Sequence, residues 1–113
     1  MQITSIYASN MELTPAIRGY VEQKLEYIAK LVSKERSASV SVEVGKTTDH
    51  HHKGDVMRAE FNLQLPGDTL RVVELEPDLY KAIDKAKDDL ARQIVDRKER
   101  FEARHRQPRP DKA

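Results

Sequence analysis

The sequence contains no cysteine, so the chain can form neither a disulfide nor a thiolate metal site, and it has no thiol nucleophile. Its four glycines are scattered, which excludes a glycine-rich phosphate-binding loop. No apolar run approaches the roughly 18 residues that a membrane span requires, and the first residues lack the basic start and apolar core of a signal peptide. These absences predict a cytoplasmic protein without disulfides.

Aromatic side chains are also scarce, with four tyrosines, two phenylalanines and no tryptophan. Only Phe61 lies in a central predicted strand, on the side that the apolar pattern assigns to the core. A sheet that reads single-stranded RNA by stacking requires exposed aromatics on its strands. The composition therefore favours recognition of a nucleic acid through its phosphates and shape, by lysine and arginine.

Charge is abundant but nearly balanced, because 20 lysines and arginines are offset by 19 aspartates and glutamates. The balance shifts along the chain, and basic side chains outnumber acidic ones after residue 77, most clearly near the end. Such a basic segment favours a polyanionic partner. It is equally consistent with a helix end and a solubilising tail, because cations stabilise the negative end of the helix dipole.

The spacing of apolar residues predicts six elements in the order β-α-β-β-β-α. Alternation with a period of two predicts four strands, and steps of three and four residues predict two helices. Thr14 and Pro15 are residue types preferred at the start of a helix, and Pro66 and Gly67 are those of a type II turn. The predicted elements are strands at about 2–8, 38–44, 57–65 and 69–75, and helices at about 15–33 and 78–104.

At 113 residues, the chain has the size of one domain, which we expect at residues 1–104, followed by a basic, disordered tail at 105–113. The element order predicts an α+β fold of two layers, in which a four-stranded mixed sheet is covered on one face by both helices. The strand–helix–strand start implies one parallel strand pair. The order also matches a double-stranded-RNA-binding domain with one extra strand, a likeness of fold alone.

The second predicted helix has an apolar stripe on one side and charge on the other. Its lysines and arginines, among them Lys81, Lys85 and Arg92, lie largely outside the stripe. The stripe is expected to pack on the sheet, and it consists of Leu79, Ile83, Ala86, Leu90, Ile94 and Phe101.

Two clusters of polar residues could carry metal or acid–base chemistry, but both have a simpler explanation. In the run His50 to His52, alternate side chains of an extended segment point in opposite directions, so at most two could share an ion, and we expect a solvated loop. Asp84, Asp88 and Asp89 have cations at helical spacing, including Arg92 four residues after Asp88, which predicts surface ion pairs. The sequence thus predicts no enzyme, no metal site and no cofactor.

Two segments resemble one family of small proteins. Met11 to Arg18 resembles the family's entry to its first helix, and Asp78 to Ile94 resembles its second helix, which runs Asp-Met-Tyr-x-Ala-Ile-Asp and then Leu-x-Arg-Gln-Leu. In these segments the chain is similar to the ribosome hibernation-promoting factors of the protein Y family, and the likeness extends over about residues 2–100. It resembles the short form, because the second domain of the long form would not fit into this chain.

The resemblance implies a domain that binds the small ribosomal subunit and its rRNA near the messenger and transfer RNA sites, silencing idle ribosomes under stress. It implies no membrane and no small-molecule partner, and leaves open whether ribosomes are also paired. Two of seven expected rRNA-binding residues, Arg18 and Arg92, match basic positions of the family directly. Three others preserve charge near basic positions of the family, and they are Lys24, Lys98 and Arg100. The last two are inferred from the charged side of the second helix alone, and they are Lys81 and Lys85.

Two positions depart from the resembled family. Asp89 and Asp96 stand where relatives commonly carry lysine, so each reverses a charge on the helix that is expected to meet phosphate. We therefore expect the footprint to shift towards Lys81, Lys85 and the basic tail. The alternatives left open are a general double-stranded RNA-binding protein and a protein that binds and modulates a transcription factor.

Overall fold

The computed structural model describes residues 1–47 and 56–105, and its six elements follow in the predicted order. Each element begins and ends within two residues of the predicted position. The elements are β1 (Gln2–Ser9), α1 (Pro15–Leu31), β2 (Ser39–Lys46), β3 (Met57–Leu65), β4 (Asp68–Glu76) and α2 (Leu79–His105). The run His50 to His52 lies outside the described residues, as does the predicted tail apart from His105.

The four strands form one mixed sheet in the order β1-β2-β3-β4. β1 and β2 are parallel, because α1 carries the chain back between them, whereas the two later pairs are antiparallel. The register of β1 shifts between Ile3 and Ser5, and there the Thr4 hydroxyl donates to the Val40 carbonyl at 3.1 Å. The predicted α+β fold with one parallel strand pair is confirmed.

A two-residue turn of Pro66 and Gly67 joins β3 to β4, so that Leu65 pairs with Asp68. Gly67 has a φ of 75°, in the left-handed region that the third residue of a type II turn requires. The predicted turn is therefore present, and it fixes which residues of the two strands lie opposite each other.

α1 is capped at both ends by local hydrogen bonds. The Thr14 hydroxyl accepts a hydrogen bond from the Ile17 amide at 3.2 Å, and Pro15 occupies the first turn, as the sequence predicts. At the other end, the Val32 amide donates to the carbonyl of Ile28 at 3.2 Å. These bonds satisfy backbone groups that a helix terminus would otherwise leave unpaired.

One face of the sheet and the inner sides of both helices form a single apolar core. β2 contributes Val40, Val42 and Val44 at alternate positions, and β3 contributes Phe61, the largest of the fully buried side chains. Burying side chains of this kind contributes roughly 1.5 to 3 kcal/mol each. Among the described residues, no polar or charged residue is buried, and neither helix has an apolar stretch long enough to cross a membrane.

The predicted burial of Phe101 is wrong. The stripe of α2 is buried from Leu79 to Ile94, but Phe101 is 59% exposed. The reason is length, because 27 helical residues span about 40 Å whereas the nine residues of β3 or β4 span about 30 Å. Arg97 contacts the β3–β4 turn, so the helical residues after it extend past the end of the sheet.

Candidate nucleic-acid interface

Three of the seven predicted residues lie together on the outer side of α2. Lys81, Lys85 and Arg92 are spaced four and seven residues apart, so they share the side of the helix that is turned away from the sheet. Their side chains are 62%, 51% and 68% exposed. We call these three residues the outer cluster, and they are the part of the predicted set that the structure brings together.

Carboxylates lie beside each cation of the outer cluster. Glu76, at the end of β4, lies 3.0 Å from the Lys85 ammonium and 3.7 Å from that of Lys81. Arg92 pairs with Asp89, which lies one turn earlier on the helix. The three cations are more than half exposed, although Glu76 and Asp89 are not. Since ion pairs at the surface contribute only about 0 to 1 kcal/mol, a phosphate can compete with these carboxylates for the cations. The outer cluster can therefore bind a polyanion.

Lys24 has a different environment, in the seam between the two helices. Its ammonium lies 3.1 Å from the Asp84 carboxylate, and the Tyr20 hydroxyl donates to the same carboxylate at 2.6 Å. The Tyr20 ring also packs edge-to-face on Tyr80, with ring centres 4.8 Å apart. Only 23% of the Lys24 side chain is exposed, so its charge serves mainly to join α1 to α2.

Hydrogen bonding in this seam shifts the pKa of all three polar groups. The hydrogen bond with Asp84 raises the pKa of Tyr20, and a bond with the same carboxylate raises the pKa of Lys24. Partial burial acts to raise the pKa of Asp84, but the hydrogen bonds from Tyr20 and Lys24 outweigh it and leave that pKa lowered. The pair of Lys24 and Asp84 is therefore charged throughout the physiological pH range.

The other three predicted residues lie apart from the outer cluster. Arg18 on α1 donates to the Ile6 carbonyl of β1 at 3.4 Å. Lys98 donates to the carbonyl of Leu31, the last residue of α1, and so satisfies a helix end. Arg100 is exposed on the part of α2 that extends past the sheet. The seven residues are thus distributed around the helix pair and do not form one continuous patch.

The surface ion pairs predicted for Asp84, Asp88 and Asp89 are present, but Asp88 has a different partner from the one expected. Asp88 pairs with Lys87 at 2.7 Å, whereas Arg92, the expected partner of Asp88, pairs with Asp89. Asp88 and Asp89 lie four and three residues before Arg92. Residues at these spacings lie on the same side of a helix, so Arg92 can pair with either carboxylate. Asp84 pairs across the seam with α1.

Two basic residues that the sequence analysis leaves out join distant segments. The Lys87 ammonium lies 4.8 Å from the ring centre of Tyr27, a cation–π contact between the helices. Arg97 binds Glu35 at 3.2 Å, Asp68 at 3.3 Å and a carbonyl of the β3–β4 turn at 3.3 Å. Spacing along the chain carries no signal for such contacts, because their partners lie on other elements.

The face of the sheet opposite the helices carries Val73 among mostly polar side chains, and its arginines lie beside carboxylates. Glu60 accepts from Arg71 at 3.1 Å and from Asn62 at 2.8 Å, and it also pairs with Arg58, which lies 3.6 Å from Glu43. The hydrogen bond from Arg71 is the main cause that lowers the pKa of Glu60 to about 2. The arginines of this face are bound to carboxylates, so we place the candidate interface on the helices.

An acidic pair lies next to the outer cluster. Glu74 of β4 hydrogen-bonds with Asp89, and this bond, together with burial and the charge of Asp89, raises the pKa of Glu74 to about 7. Asp89 and Asp96 also line a groove of about 310 Å³ between β4 and α2, with Arg71 and Arg92. At these two positions the resemblance leads to the expectation of lysine. The negative charge of the two aspartates therefore acts within this groove.

Comparison with known proteins gives a family match over nearly the whole fold. The family model described as sigma 54 modulation protein / S30EA ribosomal protein matches residues 4–102. A ribosome hibernation promotion factor of Deinococcus radiodurans is 33% identical over 98% of this chain and 56% of that protein. Another, of Staphylococcus aureus, is 31% identical over 89% of this chain and 50% of that protein. The chain thus spans about half the length of these curated relatives.

Solved structures share the same fold. The N-terminal domain of Thermus thermophilus protein Y is 36% identical, with a TM-score of 0.68 over 83% of this chain and 96% of that one. A ribosomal subunit interface protein from Coxiella burnetii has a TM-score of 0.71 over 87% of this chain and 98% of that one. At 22% identity, this second likeness concerns the fold alone.

Proposed function

We propose that this chain, which belongs to the sigma 54 modulation and S30EA ribosomal protein family, is a ribosome hibernation factor that binds the small ribosomal subunit through its rRNA. Two relatives are named ribosome hibernation promotion factors, and a structural neighbour is described as a ribosomal subunit interface protein. The observation that carries the proposal is the family match over residues 4–102. In this proposal, the protein acts in the cytoplasm on idle ribosomes under stress.

The proposed mechanism is occlusion, and it requires no reactive group. The domain occupies the region where messenger and transfer RNA bind, and it excludes both by its volume. The outer cluster forms the centre of the proposed rRNA footprint, because its three cations are more than half exposed. Arg18 and Arg100 extend the footprint to either side, whereas Lys24 and Lys98 contribute charge from positions where they also hold the helices together.

The number of cations sets the expected salt dependence. A protein that neutralises 6 to 10 phosphates loses about 10³ to 10⁵ in affinity between 50 and 200 mM salt. The seven proposed residues fall in this range. Reversing the charge of one phosphate contact should weaken binding to all RNA sequences alike and lower the slope of affinity against salt by about one.

The test is competition on purified small subunits that carry messenger RNA and fluorescently labelled transfer RNA. The wild-type chain should displace the transfer RNA, and Arg92→Glu should require a higher concentration. Arg36→Glu is the matched control, because it makes the same charge change at an exposed position between α1 and β2, away from the outer cluster. It should displace the transfer RNA as the wild type does.

Each other outcome contradicts a specific part of the proposal. Displacement that Arg92→Glu leaves unchanged would contradict the footprint on α2, and binding without displacement would contradict occlusion. Equal affinity for a bare RNA duplex and for the subunit would indicate a general duplex-RNA binder. Failure to bind either would favour a protein that modulates another protein.

A further inference from the structure

One carboxylate lies beside two of the three cations of the outer cluster. Glu76 is the last residue of β4, where it pairs with Met57 of β3, and its side chain is only 13% exposed. The side chains of Lys81 and Lys85 are more than half exposed. The carboxylate is therefore held by the sheet, whereas the two lysines reach it from the outer side of α2.

Both ammonium groups approach the same oxygen of Glu76. The Oε1 atom lies 3.0 Å from the Lys85 nitrogen and 3.7 Å from the Lys81 nitrogen. A lysine ammonium ends a flexible stem of four carbons, so its position in solvent is otherwise poorly defined. Two like charges held this close also repel each other. The shared oxygen offsets that repulsion and fixes the separation of the two cations.

Carboxylates also limit the positive charge that the outer cluster presents. Asp89 pairs with Arg92, so three cations lie in contact with two carboxylates. A phosphate that meets the ammonium groups from the solvent side is attracted, but a phosphate placed over Glu76 meets a like charge. Like charges brought together at an interface suppress wrong partners, and specific binders use such repulsion as well as attraction. The arrangement therefore favours RNA with phosphates at set positions over RNA in general.

We propose that Glu76 is a specificity-determining residue of the outer cluster. It holds Lys81 and Lys85 at the spacing of phosphates on the small ribosomal subunit, and it repels RNA whose phosphates lie elsewhere. The inference rests on the proposed function and adds to it a basis for choosing the subunit over other RNA. A carboxylate that merely pairs with surface lysines would instead restrain the binding of every RNA alike.

Glu76→Gln tests the proposal, because glutamine keeps the shape of the side chain and loses its charge. Affinities are measured for purified small subunits and for a bare RNA duplex at one salt concentration. The affinity for the duplex should rise about 5- to 30-fold, the value expected when a carboxylate no longer competes with phosphate for two ammonium groups. The affinity for the subunit should stay within about 3-fold, because the loss of repulsion is offset by the loss of the fixed spacing.

Two variants show whether the effect belongs to the charge of Glu76. Glu26→Gln is the matched control, because it removes the same charge from an exposed position on α1, and both of its affinities should match the wild type. Glu76→Asp keeps the charge and should keep the preference for the subunit. Melting temperatures check the fold of each variant. Partial unfolding would lower both affinities alike, so it cannot imitate the expected result.

The salt dependence of duplex binding gives a second readout. In Glu76→Gln its slope should steepen by about one for each ammonium group that takes a phosphate in place of Glu76. An unchanged slope would count against the proposal, because a purely structural role does not alter the number of phosphates that are neutralised.

Exchange of both lysines, Lys81→Gln with Lys85→Gln, gives a test that leaves Glu76 in place. The affinity for subunits should fall about 5- to 30-fold, whereas the affinity for the duplex should change less, because in the wild type Glu76 already opposes duplex binding at these lysines. Equal losses for both RNAs would overturn the proposal.

The outcomes separate this inference from the proposed function. A wild-type chain that binds subunits no more tightly than the duplex would overturn the proposed function, and the inference with it. A chain that prefers subunits, and keeps the same preference in Glu76→Gln, would overturn the inference and leave the proposed function standing. A rise in duplex affinity that is as large in Glu26→Gln as in Glu76→Gln would also overturn the inference.

Discussion

The carboxyl pair of Glu74 and Asp89 should make the fold less stable as the pH rises to neutrality. The hydrogen bond with Asp89 raises the folded-state pKa of Glu74 from 4.5 to about 7. A group with a raised folded-state pKa holds its proton more tightly in the fold than in the unfolded chain. Its stabilisation is therefore complete below pH 4.5, the unfolded value, and is lost as the pH rises through about 7.

The size of the effect follows from the shift in pKa. The difference corresponds to about 3 kcal/mol, and solvent screening at a partly exposed site reduces this to about 1 to 2 kcal/mol. Glu74→Gln retains the shape of the side chain and its capacity to donate to Asp89, but it cannot ionise. At pH 8 the variant should be more stable than the wild type by this amount, and at pH 4 the two should be alike.

The measurement is urea denaturation of both proteins across this pH range. Both proteins contain the same four histidines, so any contribution of these residues cancels and the difference between the two curves isolates Glu74. Glu26→Gln, at an exposed position on α1, is the control and should follow the wild type. The reasoning is refuted if Glu74→Gln and wild type show the same dependence of stability on pH.

Two further predictions concern acid stability and backbone packing. The pKa of Glu60 is lowered to about 2, chiefly by the hydrogen bond from Arg71, so its stabilisation is present above pH 4.5 and is lost as the pH falls through about 2. Glu60→Gln should reduce the loss of stability in an acid titration followed by circular dichroism, and an unchanged titration would count against this. Gly45→Ala should destabilise the fold by about 1 to 3 kcal/mol in urea denaturation, because its Cβ would lie 2.3 Å from the Ser9 carbonyl oxygen. Gly19→Ala, whose Cβ meets nothing within 4 Å, should instead stabilise α1 by about 0.5 to 1 kcal/mol, and destabilisation by both changes alike would contradict the steric argument.

The elements could be predicted from the sequence because their causes are local. Thr14 and Pro15 fix the start of α1, Gly67 supplies the left-handed residue of the β3–β4 turn, and strict alternation identifies β2 and β3. Each of these signals lies within a few residues of the feature that it determines. Local signals therefore define the order of the elements and, through it, the fold.

The candidate site could be predicted only in part, because its geometry depends on contacts between elements. Helical spacing groups Lys81, Lys85 and Arg92 correctly, but it cannot show that Lys24 pairs with a carboxylate of the other helix. The same periodicity places Phe101 on the packed side of α2 without indicating where the sheet beneath it ends. The length of one element relative to another is a property of the assembled fold.

The central claim, that helix-borne cations bind the small ribosomal subunit, is tested most directly by cosedimentation with purified small subunits at 50 and 200 mM salt. The account predicts binding that weakens about 10³- to 10⁵-fold at the higher salt, and a smaller salt dependence for Arg92→Glu. Arg36→Glu should retain the wild-type dependence. Binding that is insensitive to salt, or equally strong in Arg92→Glu and wild type, would contradict the claim.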